Sequence, residues 1–321
     1  MLGNRMPHSN SVLAIVPLRW LSPFRRGVVT LRRGSFLRNI CVAALKPFAQ
    51  ARSHLGRLKE VTPLDRPDLK FSNVDSMVID DVYWFGIQGY EGIGAEVWGR
   101  LCSRARRILE IGGNVGLFTV VGARATAGSY TVVEPVPNVA AILRKNLELN
   151  RITSVELVEG AVVPFETSRS VKLNIPSEGR DAPVGAHLID NVEIARRNSE
   201  RVIEVRGIAC AQLAQNCDLI KIDAEGIEVE LLKSIRHMLV ADKPSLFVEV
   251  LPDASELGAF LSALAIEAHY LIHVLPAYGS EQIVIVPAEE FSSELPQRFH
   301  SKDVVLSVSR IANTFGGSRK Q

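Results

Sequence analysis

Three apolar runs in this chain end in acids. ILEIGGNVGLF (108–118) carries Glu110 just before Gly112, VVEP (132–135) ends on Glu134, and DLIKIDAEGIEVELLKSI (218–235) turns from Leu219–Ile222 into Asp223, Glu225 and Glu228, with Lys221 just upstream. Carboxylates at strand ends can accept hydrogen bonds from sugar hydroxyls. They can also pair with cations, or take the proton of an attacking hydroxyl. Read as E-x-G-x-x-x-G, the first run uses Glu110, Gly112 and Gly116, with Asn114 between the glycines. A glycine directly after a strand lets the backbone turn tightly and lets a ligand come close.

These residues need elements to hold them. The chain has 321 residues, 47% of them hydrophobic, and a net charge of +2 from 37 basic and 35 acidic residues. That suits one domain of roughly 200–250 residues with extensions, and it gives no global attraction to nucleic acid. From about residue 80, short apolar runs alternate with helical patterns. RRILEIGG (106–113) precedes a helix in 115–126, and SYTVVEP (129–135) precedes a helix from Pro137 to Asn150. SVELVEGAVV (154–163) reads as a third strand, LIKIDAE precedes a helix from Ile227, and SLFVEV (245–250) precedes one over 255–268. Such alternation predicts an α/β fold of βαβ units with a mostly parallel sheet. HYLIHVLP (269–276) and QIVIVP (282–287) are separated by AYGSE, too short for a crossover helix. The last two strands should therefore run antiparallel.

The spacing discriminates between cofactors. A dinucleotide site needs G-x-G-x-x-G, so that a helix N-terminus faces a pyrophosphate; the loop at 110–116 lacks it. S-adenosylmethionine has no phosphate, and an acid at Glu110 suits its ammonium group, directly or through water. Glu134, followed by Pro135, is placed to accept two hydrogen bonds from ribose hydroxyls. Ala161 and Val162 follow the third strand, where an adenine would pack.

EIGGNVGLFT, VVEPVPNVAAILRKNLELN, VELVEGAV and LIKIDAEGIEVELLKSI, in this order, resemble the FkbM family of class I S-adenosylmethionine-dependent methyltransferases. The resemblance spans roughly 85–250, and K-I-D-x-E-G-x-E is its most specific piece. Where the family more often reads D-I-G-A-N, this chain has Glu110 and Gly113. The resemblance implies a Rossmann-like methyltransferase fold: a doubly wound, mostly parallel seven-stranded sheet with an antiparallel last strand. It also implies O-methylation of a small molecule or glycan. Transfer to a hydroxyl needs the acceptor oxygen aligned and its proton removed as the bond forms. Asp223 is the candidate for orienting or deprotonating the acceptor, Glu225 for binding substrate or cofactor, and Lys221 for neutralising these carboxylates. Glu228 lies in the first turn of a helix, where the dipole favours acid by ~0.3–1 kcal/mol. Upstream, DDVYWFGIQGYEG (80–92) brings Tyr90 and Glu91 toward the site.

The remaining features carry less. No dense ligand motif is present, so no metal residue is assigned; a divalent cation shared by Asp223 and Glu249 is an alternative that is not favoured. His269 and His273 have the spacing of a zinc helix but fall in a strand-like run without the intervening glutamate, which gives them a structural or surface role. None of the four cysteines forms a C-x-x-C pair, which suggests a reducing compartment. Residues 1–60 hold Arg5, Arg19, Arg25, Arg26, Arg32, Arg33, Arg38, Arg52 and Arg57, and Glu60 is the only acid there. They form a basic extension: a disordered or targeting segment, or an arm that touches a membrane surface. The expected domain runs 61–312 with an insertion at 164–201, and 313–321 is a tail. The expected location is cytoplasmic, with organelle import through the extension as an alternative. No nucleic-acid partner is expected, because KIDAEG stands where a base-flipping enzyme carries an N-P-P-Y type of element. The competing functions are a non-catalytic or membrane-tethered module that keeps the fold, and a nicotinamide oxidoreductase.

Overall fold

In a computed structural model, the residues described are 58–165, 170–176, 201–276, 282–299 and 301–312, with 25–28, 31, 40–41, 44, 181–182 and 186–188. The tail at 313–321, most of the basic extension and much of the 164–201 insertion lie outside them. The elements, in chain order, are β1 (Glu60–Val61), β2 (Phe71–Ser72), α1 (Met77–Phe85), α2 (Gly94–Cys102), β3 (Arg107–Ile111), α3 (Leu117–Ala125), β4 (Ser129–Glu134) and α4 (Pro137–Leu149). They continue with β5 (Val155–Glu159), β6 (Ala161–Val163), β7 (Ser170–Ile175), β8 (His187–Leu188), β9 (Arg201–Ala209), α5 (Cys210–Leu213), β10 (Leu219–Ile222) and α6 (Glu228–Ser234). The chain closes with α7 (Arg236–Ala241), β11 (Ser245–Glu249), α8 (Ser255–Ala268), β12 (Leu271–Val274), β13 (Val284–Val286) and β14 (Asp303–Ser307).

The apolar runs lie side by side. The main sheet has the order β13-β12-β14-β11-β10-β3-β4-β5. Pairing is parallel from β11 through β10, β3 and β4 to β5, and antiparallel where β14 meets β11 and β12 and where β12 meets β13. This is the doubly wound α/β class expected. Two details differ. The sheet has eight strands, because β13 adds an antiparallel edge next to β12. The last strand is antiparallel, but it is DVVLS (303–307), inserted between β11 and β12, and not the run at 282–287.

Strand alternation divides the core into two layers. Ile108, Leu219 and Phe247 point to one layer with Trp98, Phe118 and Tyr130. Leu109, Ile111, Ile220, Ile222, Leu246 and Val248 point to the other, with Leu231, Leu232, Leu261 and Leu264. In the first layer Trp98 meets Phe247 edge-on at 5.8 Å and Tyr130 at 6.3 Å, and Phe118 meets Phe247 at 5.6 Å. Each such pair is worth about 0.5–1.5 kcal/mol beyond its burial.

The run at 154–163 is two strands, not one. Gly160, at φ +156°, breaks it, and a Cβ there would meet the Arg206 carbonyl oxygen at 2.7 Å. The chain therefore leaves the main sheet after Glu159, and β6 joins a separate sheet of order β6-β9-β7-β8. This second sheet carries the described part of the insertion against the mouth of the first.

Candidate active site

The carboxyl ends of β3, β4, β10 and β11 open into a cleft with an empty volume of about 790 Å³, the open space at its mouth included. Its lining includes Gly112, Asn114, Glu134, Pro135, Ala161, Val162, Asp223 and Glu225, all singled out from the sequence. Val133, Val136 and Val139 add an apolar wall, and Leu173, Ala186 and Leu188 close it from the second sheet.

The glycine loop is built for close approach. Gly112 has φ +83°, and a Cβ on it would lie 2.0 Å from the Asp223 carbonyl oxygen. Asn114 follows at φ 47°, with its side chain folded back to accept from the Val115 amide at 2.7 Å. Its own amide donates to Glu134 Oε2 at 2.8 Å, and the Val136 amide donates to Glu134 Oε1 at 2.9 Å. Two backbone donors thus fix the Glu134 carboxylate at the end of β4, facing the cleft. Burial pushes its pKa up to about 7, while the two amides pull it down.

Across the cleft, Lys221 Nζ donates to Asp223 Oδ2 at 2.8 Å. Lys221 is buried and lies 4.8 Å from the centre of the Phe118 ring. Burial opposes the charge on Asp223, but Lys221 and Lys302 outweigh it and hold the carboxyl below its usual range, helped by a hydrogen bond from Glu249. Glu249 moves the other way: burial and the facing Asp223 push it up to about 8. The two are thus pushed in opposite directions, Asp223 toward the charged form and Glu249 toward the protonated one. Glu225 follows at φ 51° on the cleft wall. Glu228 faces back into its own loop, where it accepts from the Ala224 amide at 2.9 Å and the Gly226 amide at 3.0 Å. It staples the turn that presents Asp223 and Glu225.

Four of the expected residues do not line the cleft. Glu110 lies on the strand face that points into the aromatic layer, opposite Lys221 in the register. It accepts from the Tyr130 hydroxyl at 2.6 Å, which in turn accepts from Trp98 Nε1 at 2.9 Å. Burial raises it to about 7, against the pull of Lys221 and Tyr130. Direct contact between Glu110 and a ligand ammonium is thus corrected to a buried place behind Lys221. Gly116 turns the chain into α3 at φ +87°, and its Cβ position faces Leu143 of α4. Lys221 is beneath Asp223, at 3% side-chain exposure. Glu91 turns to Lys302 Nζ at 3.3 Å, while its neighbour Tyr90 reaches the cleft.

Lys302 is the residue that the sequence reading missed. It lines the cleft and contacts Glu249. The only signal was its place next to a strand that itself went unrecognised. Its ammonium occupies the carboxyl end of Glu249, one of the two acids a divalent cation would need, and among the described residues no group of three His, Cys, Asp or Glu side chains is arranged to hold a metal. His273 is structural: its Nδ1 meets the Val305 carbonyl at 3.2 Å and its Nε2 accepts from the Ile311 amide at 3.3 Å.

Comparison with known proteins gives distant likenesses. The family described as Vibrio cholerae RfbT protein matches residues 92–244. No curated protein matches the chain. Among solved structures, the chain is similar to an O-methyltransferase from Bacillus cereus in complex with SAH, at 15% identity and TM-score 0.34, over 66% of this chain and 78% of that one. It is similar to methyltransferase FkbM from Methylobacillus flagellatus KT, at 15% identity and TM-score 0.37, over 72% of this chain and 54% of that one. A candidate O-methyltransferase from Klebsiella pneumoniae matches at 19% identity and TM-score 0.30, over 52% of this chain and 61% of that one. The chain thus spans about three fifths of that protein's length. The weight of a functional reading rests on the cleft's own residues.

Among the described residues, no helix is long and apolar enough to cross a membrane.

Proposed function

We propose that the chain is an S-adenosylmethionine-dependent methyltransferase of FkbM-like type, moving a methyl group to a hydroxyl of a small molecule or glycan. The observation that carries this reading is the Glu134 carboxylate, held by the Asn114 and Val136 amides at 2.8 and 2.9 Å beside a glycine loop with no room for a Cβ. Each oxygen keeps a lone pair for a ribose hydroxyl, and the dinucleotide glycine spacing is absent.

The residues of the cleft fit the cofactor. Gly112 leaves its backbone bare to the cleft, Glu134 takes the ribose, and Val133, Val136, Val162 and Leu173 offer an apolar slot for a base. The cofactor, when bound, supplies an electrophilic methyl group. Asp223, ionised by Lys221, takes the proton of the acceptor hydroxyl, and Glu225 holds the acceptor or the cofactor's amino acid end. Glu110 keeps Lys221 in place from behind.

The test is incubation of the purified protein with methyl-tritiated S-adenosylmethionine and a panel of free sugars, glycosides and hydroxylated lipids. Label should appear on at least one hydroxylated acceptor, and Asp223→Asn should cut its rate of appearance by about 10²–10⁴. Label on none, with a folded protein that binds the cofactor, would move the reading to a non-catalytic module. Label on an amine would overturn the hydroxyl assignment.

A further inference from the structure

Lys302 stands just before β14, between the glycine-rich turn that precedes α2 and the end of β11. Its ammonium bonds Glu249, lies 3.3 Å from Glu91, and lines the same cleft as Asp223. The next residue, Asp303, is buried and pairs in register with Glu249, and its Oδ2 would stand 2.7 Å from a Cβ at Gly94, the first residue of α2. The groups facing Lys302 are therefore Tyr90 and Glu91 from the turn, Asp223 from the loop after β10, Glu249 from β11 and Asp303 from its own strand. Lys221 is the other cation of this cluster, and it is committed to Asp223 from below. Five carboxyls, Glu110 included, thus share two lysines, and the lysine that bonds both Glu91 and Glu249 is Lys302.

We propose that Lys302 is a positioning residue for Asp223: it ties Glu91 to Glu249 across the cleft floor and supplies the second positive charge that Asp223 faces. This rests on the reading of Asp223 as the acceptor's proton-taking group. Without Lys302, Glu249 and Asp223 face each other with only the buried Lys221 beneath them as a cation, and Asp223 gains a proton more easily. The directions agree: Lys302 pulls both Asp223 and Glu249 down, and Glu91 and Glu249 raise Lys302 against the effect of its burial. The segment bearing Tyr90 and Glu91 is thereby coupled to the charge state of the catalytic floor.

The experiment is a carboxyl-carbon NMR titration of the full chain labelled at aspartate and glutamate side chains, comparing wild type with Lys302→Met and Lys302→Arg. Asp223→Asn assigns the Asp223 resonance. In wild type, Asp223 should titrate below the ordinary carboxylate range. In Lys302→Met it should move up by about one pH unit or more, and Lys302→Arg should restore it. An Asp223 titration unmoved in folded Lys302→Met would overturn the proposal, as would an arginine variant that behaves like the methionine one. Lys302→Gln, neutral but polar, carries the same test if the methionine variant does not fold. Calorimetry with S-adenosylhomocysteine on the same samples separates the two claims: wild type that binds none undermines the cofactor reading, whatever the titration shows.

Discussion

Glu134 is the residue on which the cofactor reading turns. It is a buried carboxylate with two charge-assisted bonds to amides, and ribose hydroxyls would add two more. Bonds to a charged group are worth about 1.5–3 kcal/mol each. Glu134→Ala should therefore weaken S-adenosylhomocysteine binding by at least about tenfold, with an unchanged circular dichroism spectrum. Its pKa of about 7 adds a pH dependence. The ionised form is the better acceptor, so affinity should fall as pH drops through about 7, and calorimetry at pH values on either side of it would show this. Asp223 belongs to a different step. Asp223→Asn should leave S-adenosylhomocysteine affinity within a few-fold and cut methyl transfer by about 10²–10⁴, the usual share of a general base.

At the scale of elements, the glycine loop is the tightest joint. Gly112→Ala places a Cβ against the Asp223 carbonyl at a left-handed backbone position. It should cost about 1–3 kcal/mol, read as a lower urea midpoint, and should disturb cofactor binding at the same time. The elements differed in how far they could be read in advance. The parallel strands β3, β4, β10 and β11 are apolar runs followed by glycine or acid, and such runs mark a buried strand. The loop residues Gly112, Asn114, Glu134, Asp223 and Glu225 followed from where those runs end. Glu110 did not, because it lies inside β3, where alternation puts it on the face of Ile108, toward Tyr130 and the aromatic layer. The last strand, DVVLS, is as long as β3 or β11, but no glycine or acid closes its apolar run Val304–Leu306 and no helix follows it. Nothing local distinguishes it from a loop, and its partners β11 and β12 lie far back in the sequence. Lys302 was lost with it. The break at Gly160 was also hidden, since a glycine inside an apolar run reads as a strand until the backbone is seen to turn.

At the scale of the whole molecule, buried acids set the pH response. Burial raises Glu110 and Glu134 to about 7 and Glu249 to about 8, against about 4.3 for a glutamate in the unfolded chain. Between these values the folded state holds more protons than the unfolded one, so stability rises as pH falls through that window. His273 is pushed down by burial and opposes this once the pH falls below its ordinary value. The melting temperature should therefore be higher near neutral-acid pH than in mild alkali. The described piece of the basic extension also belongs to the fold. The Arg25 guanidinium bonds the Tyr83 and Thr62 carbonyls and covers the Tyr83 ring, and Val28 is buried in the core. Arg25→Ala should lower the melting temperature, which differential scanning fluorimetry would detect. Residues 25–28 of the basic extension therefore pack against the domain.

The central claim is that this cleft takes an adenosyl cofactor through Glu134 and not a dinucleotide. Isothermal titration of the purified full chain with S-adenosylhomocysteine and, separately, with NAD tests it most directly. The account predicts binding of S-adenosylhomocysteine alone, weakened by Glu134→Ala. Binding of NAD, or of neither ligand by a folded protein, would contradict it.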